Sequence, residues 1–210
     1  MKDFDLSLYL VTDSTGLEDE NFLSIVNAAC AGGITFLQLR EKERSAKDFL
    51  SLAEKVKAIT DKYKIPLIID DRADIALACD AAGVHIGQSD LPVFAARKAL
   101  GQNKIVGTTA KTVSQALSAQ EQGADYLGVG AIFPTTTKVV TIITKVSTLD
   151  EIIAAVNIPV AAIGGLNAEN MSVLENSKID GIAVVSAIMK AADPFSAAKM
   201  LKSKIMSLKQ

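Results

Sequence analysis

A cluster of hydroxyl and cationic side chains stands in the segment 130–138, which reads GAIFPTTTK. An apolar, strand-like run stops there at a proline, and three threonines and a lysine follow at once: Thr135, Thr136, Thr137 and Lys138. Hydroxyl groups and an ammonium all donate hydrogen bonds, and the ammonium also carries a positive charge. Residues of these types in this order indicate a site for an anion at the mouth of a strand.

Polar side chains follow the other strand-like runs of the chain in the same way. The candidates after these runs are Gln38, Arg40, Glu41, Lys42, Asp70, Asp71, Arg72, His85, Gln88, Asp90, Thr108, Thr109, Lys111, Val185 and Ser186. His85 is the single histidine of the sequence. A lone histidine at a strand end cannot by itself supply a catalytic triad or a zinc site, so we expect chemistry that does not depend on a histidine.

Two aspartates, Asp71 and Asp90, end neighbouring strand-like runs. Two converging carboxylates suit Mg²⁺, which commonly binds one or two carboxylates and the oxygens of a substrate phosphate. Together with Arg40, Lys42 and Lys138, they indicate a metal–diphosphate site in which cations neutralise a leaving group. The structural alternatives are a helix cap for Asp90 and an ion pair with a neighbouring cation for Asp71.

A glycine pair, Gly164-Gly165, follows the seventh strand-like run, and Ser186 opens the short segment SAIMKAA after the eighth. Without side chains, the glycine backbone N–H groups can approach a ligand closely. A helix N-terminus beside such glycines is a ready phosphate site. The alternative is that the glycines only make a turn and the serine only caps a helix.

Eight short runs of aliphatic and β-branched residues must position these side chains, and helix-like periodicity fills the intervals between them. The predicted strands cover residues 8–13, 35–41, 66–71, 83–87, 104–109, 126–133, 159–165 and 181–186. Ser45, Asn167 and Asp193 are candidate helix caps, the last before a proline. The count of eight predicts a single-domain (β/α)₈ barrel over residues 1–210, with a doubly wound open sheet as the alternative.

The composition limits the class of protein. Hydrophobic residues make up 49% and charged residues 22% of the 210 residues, as in a soluble globular protein, and the longest apolar runs are too short to span a membrane. The net charge is -2 and basic residues are not clustered with aromatic ones, which argues against nucleic acid as a partner. We therefore expect a cytoplasmic protein with small phosphorylated ligands and with Cys30 and Cys79 unpaired.

The motifs as a set closely resemble the thiamine-phosphate synthase family. The segments that carry the resemblance run in the family's order and are QLREK, IIDDRADIAL, GVHIGQSD, GADYLGVGAIFPTTTK, IPVAAIGGLN and GIAVVSAI. The resemblance implies a barrel that joins 4-amino-2-methyl-5-(diphosphooxymethyl)pyrimidine to 4-methyl-5-(2-phosphooxyethyl)thiazole. Diphosphate would be released with the help of Mg²⁺.

The resemblance also implies roles for individual residues. The pyrimidine diphosphate would be held by Gln38, Leu39, Arg40, Glu41, Lys42, Asp70, Thr109 and Lys138, of which Arg40, Lys42 and Lys138 would act in catalysis. Asp71 and Asp90 would bind Mg²⁺. The thiazole phosphate would be held by Thr135, Thr136, Thr137, Gly165, Val185 and Ser186.

Three departures from the family pattern stand out: Asp70 replaces the usual asparagine, Thr109 replaces the usual serine, and the segment after Lys138 is apolar. Two other functions remain open. One is a related thiazole tautomerase, whose proton transfer resembles a histidine-dependent step at the position where this chain has Lys111. The other is a binding protein for phosphorylated ligands that has no catalytic activity.

Overall fold

A closed ring of eight parallel strands forms the centre of the computed structural model, which describes residues 3–135 and 142–208. The strands are β1 (Leu8–Val11), β2 (Phe36–Leu39), β3 (Leu67–Asp70), β4 (Gly83–Ile86), β5 (Ile105–Ala110), β6 (Tyr126–Gly130), β7 (Val160–Ile163) and β8 (Gly181–Val184). Each strand pairs with the next along the chain, and β8 pairs with β1. This closure confirms the predicted barrel and excludes the open sheet.

Helices connect the strands on the outside of the barrel. They are α1 (Asp19–Gly32), α2 (Ala46–Tyr63), α3 (Ala73–Ala78), α4 (Val93–Leu100), α5 (Val113–Glu121), α6 (Val146–Ala155), α7 (Ser186–Met189) and α8 (Pro194–Leu208). Two predicted caps are confirmed: Ser45 Oγ accepts from Asp48 N at 3.2 Å, and Asp193 Oδ1 accepts from Ser196 N at 3.1 Å. The short helix predicted after β8 is also confirmed, as α7.

The interval between β7 and β8 differs from the expected helix. It contains only a single 3₁₀ turn, Met171–Leu174, and Asn167 does not cap it directly. Instead, Asn167 Oδ1 accepts hydrogen bonds from Glu169 N and Asn170 N. These are the bonds that a capping side chain makes, but here the chain continues only into the 3₁₀ turn.

Two separate apolar cores hold the barrel together. The larger one lies between the strands and the helices and includes Leu8, Leu10, Leu37 and Leu39. The smaller one lies inside the barrel, and its members are Leu6, Tyr9, Val11, Phe36, Ile68, Ile105, Tyr126, Ala161 and Ala183. Alternate residues of each strand therefore point to opposite cores, as the two-residue period of a strand requires.

On β2 and β5 the inward positions change from apolar to polar toward the carboxyl end of the strand. On β5 they run from Ile105 through Gly107 to Thr109, and Lys111 follows at the strand end. On β2, Phe36 lies in the inner core, whereas the inward Gln38 faces the pocket above it. The carboxyl end of the barrel therefore presents polar groups of these strands beside apolar groups of β1, β7 and β8, while its amino end is packed with aromatic and aliphatic groups.

Cys30 and Cys79 are both buried and unpaired, as predicted. Within the described residues, no helix is long and apolar enough to cross a membrane.

Candidate active site

A pocket of about 210 Å³ opens at the carboxyl ends of the strands. Its walls come from every part of the ring, and they include the glycine pair after β7 and the start of α7. Of the predicted site residues, those that line it are Gln38, Arg40, Asp70, Thr109, Thr135, Gly165, Val185 and Ser186. The structure therefore brings together residues that lie as far apart as 148 positions in the sequence, from Gln38 to Ser186.

A cluster of opposite charges lies on one wall of the pocket, at the ends of β2 and β3. Lys42 Nζ is 2.7 Å from Asp70 Oδ2 and also contacts Asp71 Oδ2, and Arg40 Nε is 3.8 Å from Asp70 Oδ2. Burial raises the pKa of Asp70 in spite of the contact with Lys42. The buried carboxylate therefore depends on its neighbouring cations.

The side chains of Asp71 and Asp90 interact with each other beside this cluster. Neither of them, nor Lys42, is among the residues that line the pocket, and Asp90 lines a separate surface cavity beside α4. Burial and the contact with Asp71 raise the pKa of Asp90. Burial also acts to raise the pKa of Asp71, but the contact with Lys42 outweighs it and lowers that pKa. Two carboxylates in contact repel each other when both are ionised, so a nearby cation favours the ionised pair, as Lys42 does for Asp71 here.

The carboxylates of Asp71 and Asp90 suit Mg²⁺ better than a metal ion whose ligands all come from the protein. The described residues contain no group of three or more His, Cys, Asp or Glu side chains arranged to hold an ion. Mg²⁺ usually keeps several waters and takes only one or two carboxylates together with substrate phosphate oxygens. Asp71 and Asp90 offer carboxylate oxygens of the type and number that such a site would use.

The opposite wall of the pocket presents backbone groups rather than charged side chains. Gly164 and Gly165 both have positive φ angles, of 104° and 65°, which favour glycine. A Cβ atom at Gly165 would lie 2.7 Å from Phe133 Cβ and from Pro134 O, so no side chain fits there without a shift. Because Ser186 begins α7 beside this turn, hydroxyl and backbone donors converge on one side of the pocket.

Two predicted site residues point away from the pocket. Leu39 is fully buried in the outer core, so only its backbone is available to a ligand. Glu41 Oε2 accepts hydrogen bonds from Ser14 Oγ at 2.8 Å and from Arg44 Nε at 3.0 Å. Glu41 therefore joins the loop after β1 to the loop after β2.

Three further predicted residues, Thr136, Thr137 and Lys138, lie outside the described residues. The roles predicted for them stay predictions.

Other pocket residues had no role in the sequence-based site. Lys111, at the end of β5, and Val11, at the end of β1, both line the pocket. His85 does so as well, and it is hydrogen-bonded on both ring nitrogens, to Tyr126 and Thr109. Lys111 and His85 stood among the polar strand ends, but nothing in their spacing separated a pocket residue from a surface residue.

Comparisons with known proteins agree with this geometry. The model of the thiamine monophosphate synthase family matches residues 8–188. A thiamine-phosphate synthase from Clostridium tetani is 53% identical over 192 residues, which cover 91% of this chain and 92% of that protein. A thiamine-phosphate synthase from Enterococcus faecalis is 55% identical over 186 residues, which cover 89% of this chain and 88% of that protein.

A solved structure gives the same result in three dimensions. The thiamine phosphate pyrophosphorylase from Pyrococcus furiosus superimposes with a TM-score of 0.88 at 35% sequence identity, and the match covers 98% of both chains. The family match extends from β1 to α7 and so includes both walls of the pocket. This chain therefore belongs to the thiamine monophosphate synthase family.

Proposed function

We propose that this chain is a thiamine-phosphate synthase. It joins 4-amino-2-methyl-5-(diphosphooxymethyl)pyrimidine to 4-methyl-5-(2-phosphooxyethyl)thiazole and releases diphosphate. The observation that carries the proposal is the division of one pocket into a charged wall and a glycine wall, in a chain about half identical to curated thiamine-phosphate synthases. Such a pocket suits two phosphorylated substrates that must meet.

The charged wall suits the pyrimidine diphosphate. Arg40 and Lys42 supply positive charge, and Asp70 supplies a carboxylate that can accept from an amino group. Gln38 on β2 and Thr109 on β5 add polar groups to the same pocket. We assign Lys138 to the same substrate, where its ammonium would meet the charge that grows on the leaving diphosphate.

The glycine wall suits the thiazole phosphate. The backbone of Gly165 and the hydroxyl of Ser186 are donors without a competing negative charge nearby on that wall, and Val185 completes the turn into α7. Phosphate groups bind well to backbone N–H groups presented in this way. Thr135 lines the pocket between the two walls, and we assign Thr136 and Thr137 to the same phosphate.

The reaction needs positioning and charge stabilisation more than proton transfer. The bond between the pyrimidine methylene carbon and its oxygen breaks, and its electron pair leaves with diphosphate. The thiazole nitrogen then donates its lone pair to that carbon, and no proton has to be removed. The protein therefore acts by holding the two substrates together and by stabilising the leaving group.

Asp71 and Asp90 would hold Mg²⁺ beside the diphosphate. A bound Mg²⁺ would supply further positive charge to the leaving group. Lys42, which contacts Asp71 in this structure, would then be free to turn toward the diphosphate. A cytoplasmic location and the absence of nucleic-acid partners remain predictions from the sequence.

Incubation with both substrates and Mg²⁺ tests the proposal. We expect thiamine phosphate and diphosphate to form in equal amounts, measured by chromatography and a coupled diphosphate assay. Formation of an isomerised thiazole without diphosphate release would instead indicate a tautomerase. Calorimetric binding of both phosphates with no product would indicate a binding protein without activity.

A further inference from the structure

A chain of buried hydrogen bonds runs beneath the pocket floor. Gln38 Nε2 donates to Tyr9 Oη at 2.5 Å, and the hydroxyls of Tyr9 and Tyr126 are 2.8 Å apart. The Tyr126 hydroxyl is 3.0 Å from His85 Nδ1, and His85 Nε2 is 3.1 Å from Thr109 Oγ1. Gln38, His85 and Thr109 line the pocket, whereas the two tyrosines are buried below it.

Gly107 leaves room for the Tyr126 ring inside the barrel. A Cβ atom at Gly107 would lie 2.1 Å from Tyr126 Cζ, so only glycine leaves room for the phenol. Phe36 and Tyr9 pack edge-on against the Tyr126 ring, with centroid distances of 5.4 and 5.9 Å. Burial raises the pKa of both tyrosines, so each hydroxyl keeps its proton and can donate it.

The Gln38 amide, the donor at one end, determines which way every hydrogen bond in this series points. Because Tyr9 accepts from the amide of Gln38, its own proton needs another acceptor, and the Tyr126 oxygen is the one at hand. Tyr126 must then donate to His85 Nδ1. In the opposite direction the Tyr9 proton would be buried without an acceptor among the described residues, which costs a buried hydrogen bond.

A neutral imidazole that accepts at Nδ1 carries its proton on Nε2. His85 Nε2–H then donates to Thr109 Oγ1, and the Thr109 proton is left to donate in turn. Since Thr109 lines the pocket, that proton can meet an acceptor atom of a ligand.

We infer that Tyr9 and Tyr126 are positioning residues that fix the Nε2–H tautomer of His85 and so make Thr109 a hydrogen-bond donor to the pyrimidine substrate. The assignment of the ligand rests on the proposed function, because Thr109 belongs to the wall assigned to the pyrimidine diphosphate. The tautomer itself does not depend on that function. The two parts can therefore be tested separately.

The first test uses the fact that the chain has one histidine. In protein labelled with ¹⁵N-histidine, long-range ¹H–¹⁵N correlation spectra at mildly alkaline pH contain the two ring nitrogens of His85 alone. We expect Nδ1 to have the downfield shift of an unprotonated nitrogen and Nε2 to be protonated. In Tyr126→Phe, Nδ1 loses its donor, so its signal should move further downfield.

The second test is kinetic. Tyr126→Phe and Tyr9→Phe each keep the ring and remove one link, so both should raise the KM for the pyrimidine diphosphate by roughly 10-fold, the usual effect of one lost or misdirected hydrogen bond. The KM for the thiazole phosphate should stay within about twofold, since that wall is separate. Tyr63→Phe, on the exposed end of α2, is the control and should change neither the spectra nor the KM values.

Protonation of Nδ1 in the parent protein, or an unchanged Nδ1 signal in Tyr126→Phe, would overturn the direction of the chain. The expected spectra with unchanged KM values in both tyrosine variants would overturn the positioning role. If Tyr126→Phe does not fold, as judged by circular dichroism, Tyr9→Phe provides the same test one link earlier. A parent protein without synthase activity would contradict the proposed function, and the spectra would still decide the tautomer.

Discussion

At the scale of single residues, Lys42 is the cation that allows three carboxylates to lie together beyond the ends of β3 and β4. Its ammonium contacts both Asp70 and Asp71, and Asp71 in turn contacts Asp90. Without a positive charge among them, the three carboxylates would repel each other and at least one would take up a proton. We therefore propose that a substrate diphosphate that draws Lys42 away would leave a place for a divalent cation.

Replacement of either Asp71 or Asp90 by alanine should weaken Mg²⁺ binding. We expect the Mg²⁺ concentration for half-maximal turnover to rise by at least about 10-fold, the loss typical even of groups that only support a metal ligand. Calorimetric titration of Mg²⁺ with diphosphate present should show the same loss without relying on activity. Asp74→Ala is a suitable control, because Asp74 lies on α3 in an exposed ion pair with Arg72. Equal Mg²⁺ dependence in both variants and the parent would contradict the assignment.

Lys138 is expected to act in the chemical step rather than in binding alone. An interaction that strengthens as negative charge grows on diphosphate appears in kcat. Lys138→Ala should therefore lower kcat on the order of 10²-fold, and Lys138→Arg should restore only part of it, because a planar guanidinium is not a compact point charge.

Single-turnover rates at saturating substrate measure the effect of Lys138→Ala directly. Lys145→Ala, an exposed lysine before α6, is the matched control. A Lys138→Ala rate close to that of the parent would show that this lysine is an ordinary surface residue.

At the scale of elements, Arg97 links two loops at the end of the barrel opposite the pocket. The guanidinium of Arg97, on α4, donates to Gly101 O at 2.9 Å, Lys104 O at 2.6 Å and Gly123 O at 2.9 Å. It also bonds to Asp125 Oδ2, which accepts from Val106 N at 2.8 Å. Arg97 thereby links the loop before β5 to the loop before β6.

Arg97→Met should destabilise the fold and leave catalysis unchanged. It removes a nearly buried cation, and the carbonyl groups and the Asp125 carboxylate lose the guanidinium donor, at a cost of about 3 kcal/mol. For a domain of this size, Tm should fall by roughly 10 °C. Calorimetric scans and kcat at a temperature well below Tm measure the two effects. Lys98→Met, on an exposed position of the same helix, is the control, and a loss of Tm equal to the control's would contradict the role of Arg97.

The elements themselves were largely predictable from the sequence, whereas the buried chain beneath the pocket was not. All eight strands occur where aliphatic runs predicted them, because such runs can only be buried. The same property hides the inner core: a strand buried on both faces has no alternation of polar and apolar residues to show which side chains face inward. Tyr9 and Tyr126 therefore looked like any other apolar strand residues.

The loop after β7 shows a different limit of prediction from the sequence. The glycine pair was correctly expected in the pocket wall, since glycine after a strand permits close backbone approach. The expected helix after it is only a 3₁₀ turn, although Asn167 accepts from the backbone N–H groups of Glu169 and Asn170 as a capping residue does. Glu41 was expected to bind substrate, but its carboxylate meets Ser14 and Arg44, partners that sequence spacing does not reveal.

At the scale of the whole molecule, closure of the ring joins the two ends of the chain. β1 pairs with both β2 and β8, and α1 packs on α8 through contacts such as Gly32 with Phe195 and Ala198. A Cβ atom at Gly32 would lie 2.5 Å from Phe195 O, so the two helices approach as closely as a backbone allows. No part of the described barrel can open without breaking strand pairs on two sides. We therefore predict that residues 1–210 unfold as one domain.

The two buried cysteines can report on that cooperativity. Cys30 lies on α1 and Cys79 at the end of α3, and burial raises the pKa of the Cys30 thiol to about 12 and also raises the pKa of Cys79. Buried thiols that are not ionised react slowly, so labelling of the native protein requires unfolding. In Cys30→Ala only Cys79 is labelled, and in Cys79→Ala only Cys30. For a single cooperative unit, the labelling midpoint in urea should coincide with the circular dichroism midpoint in each variant. Labelling of Cys79 at clearly lower urea than Cys30, each compared with its own circular dichroism midpoint, would show that the β3–α3 region opens on its own and that the ring does not unfold as one unit.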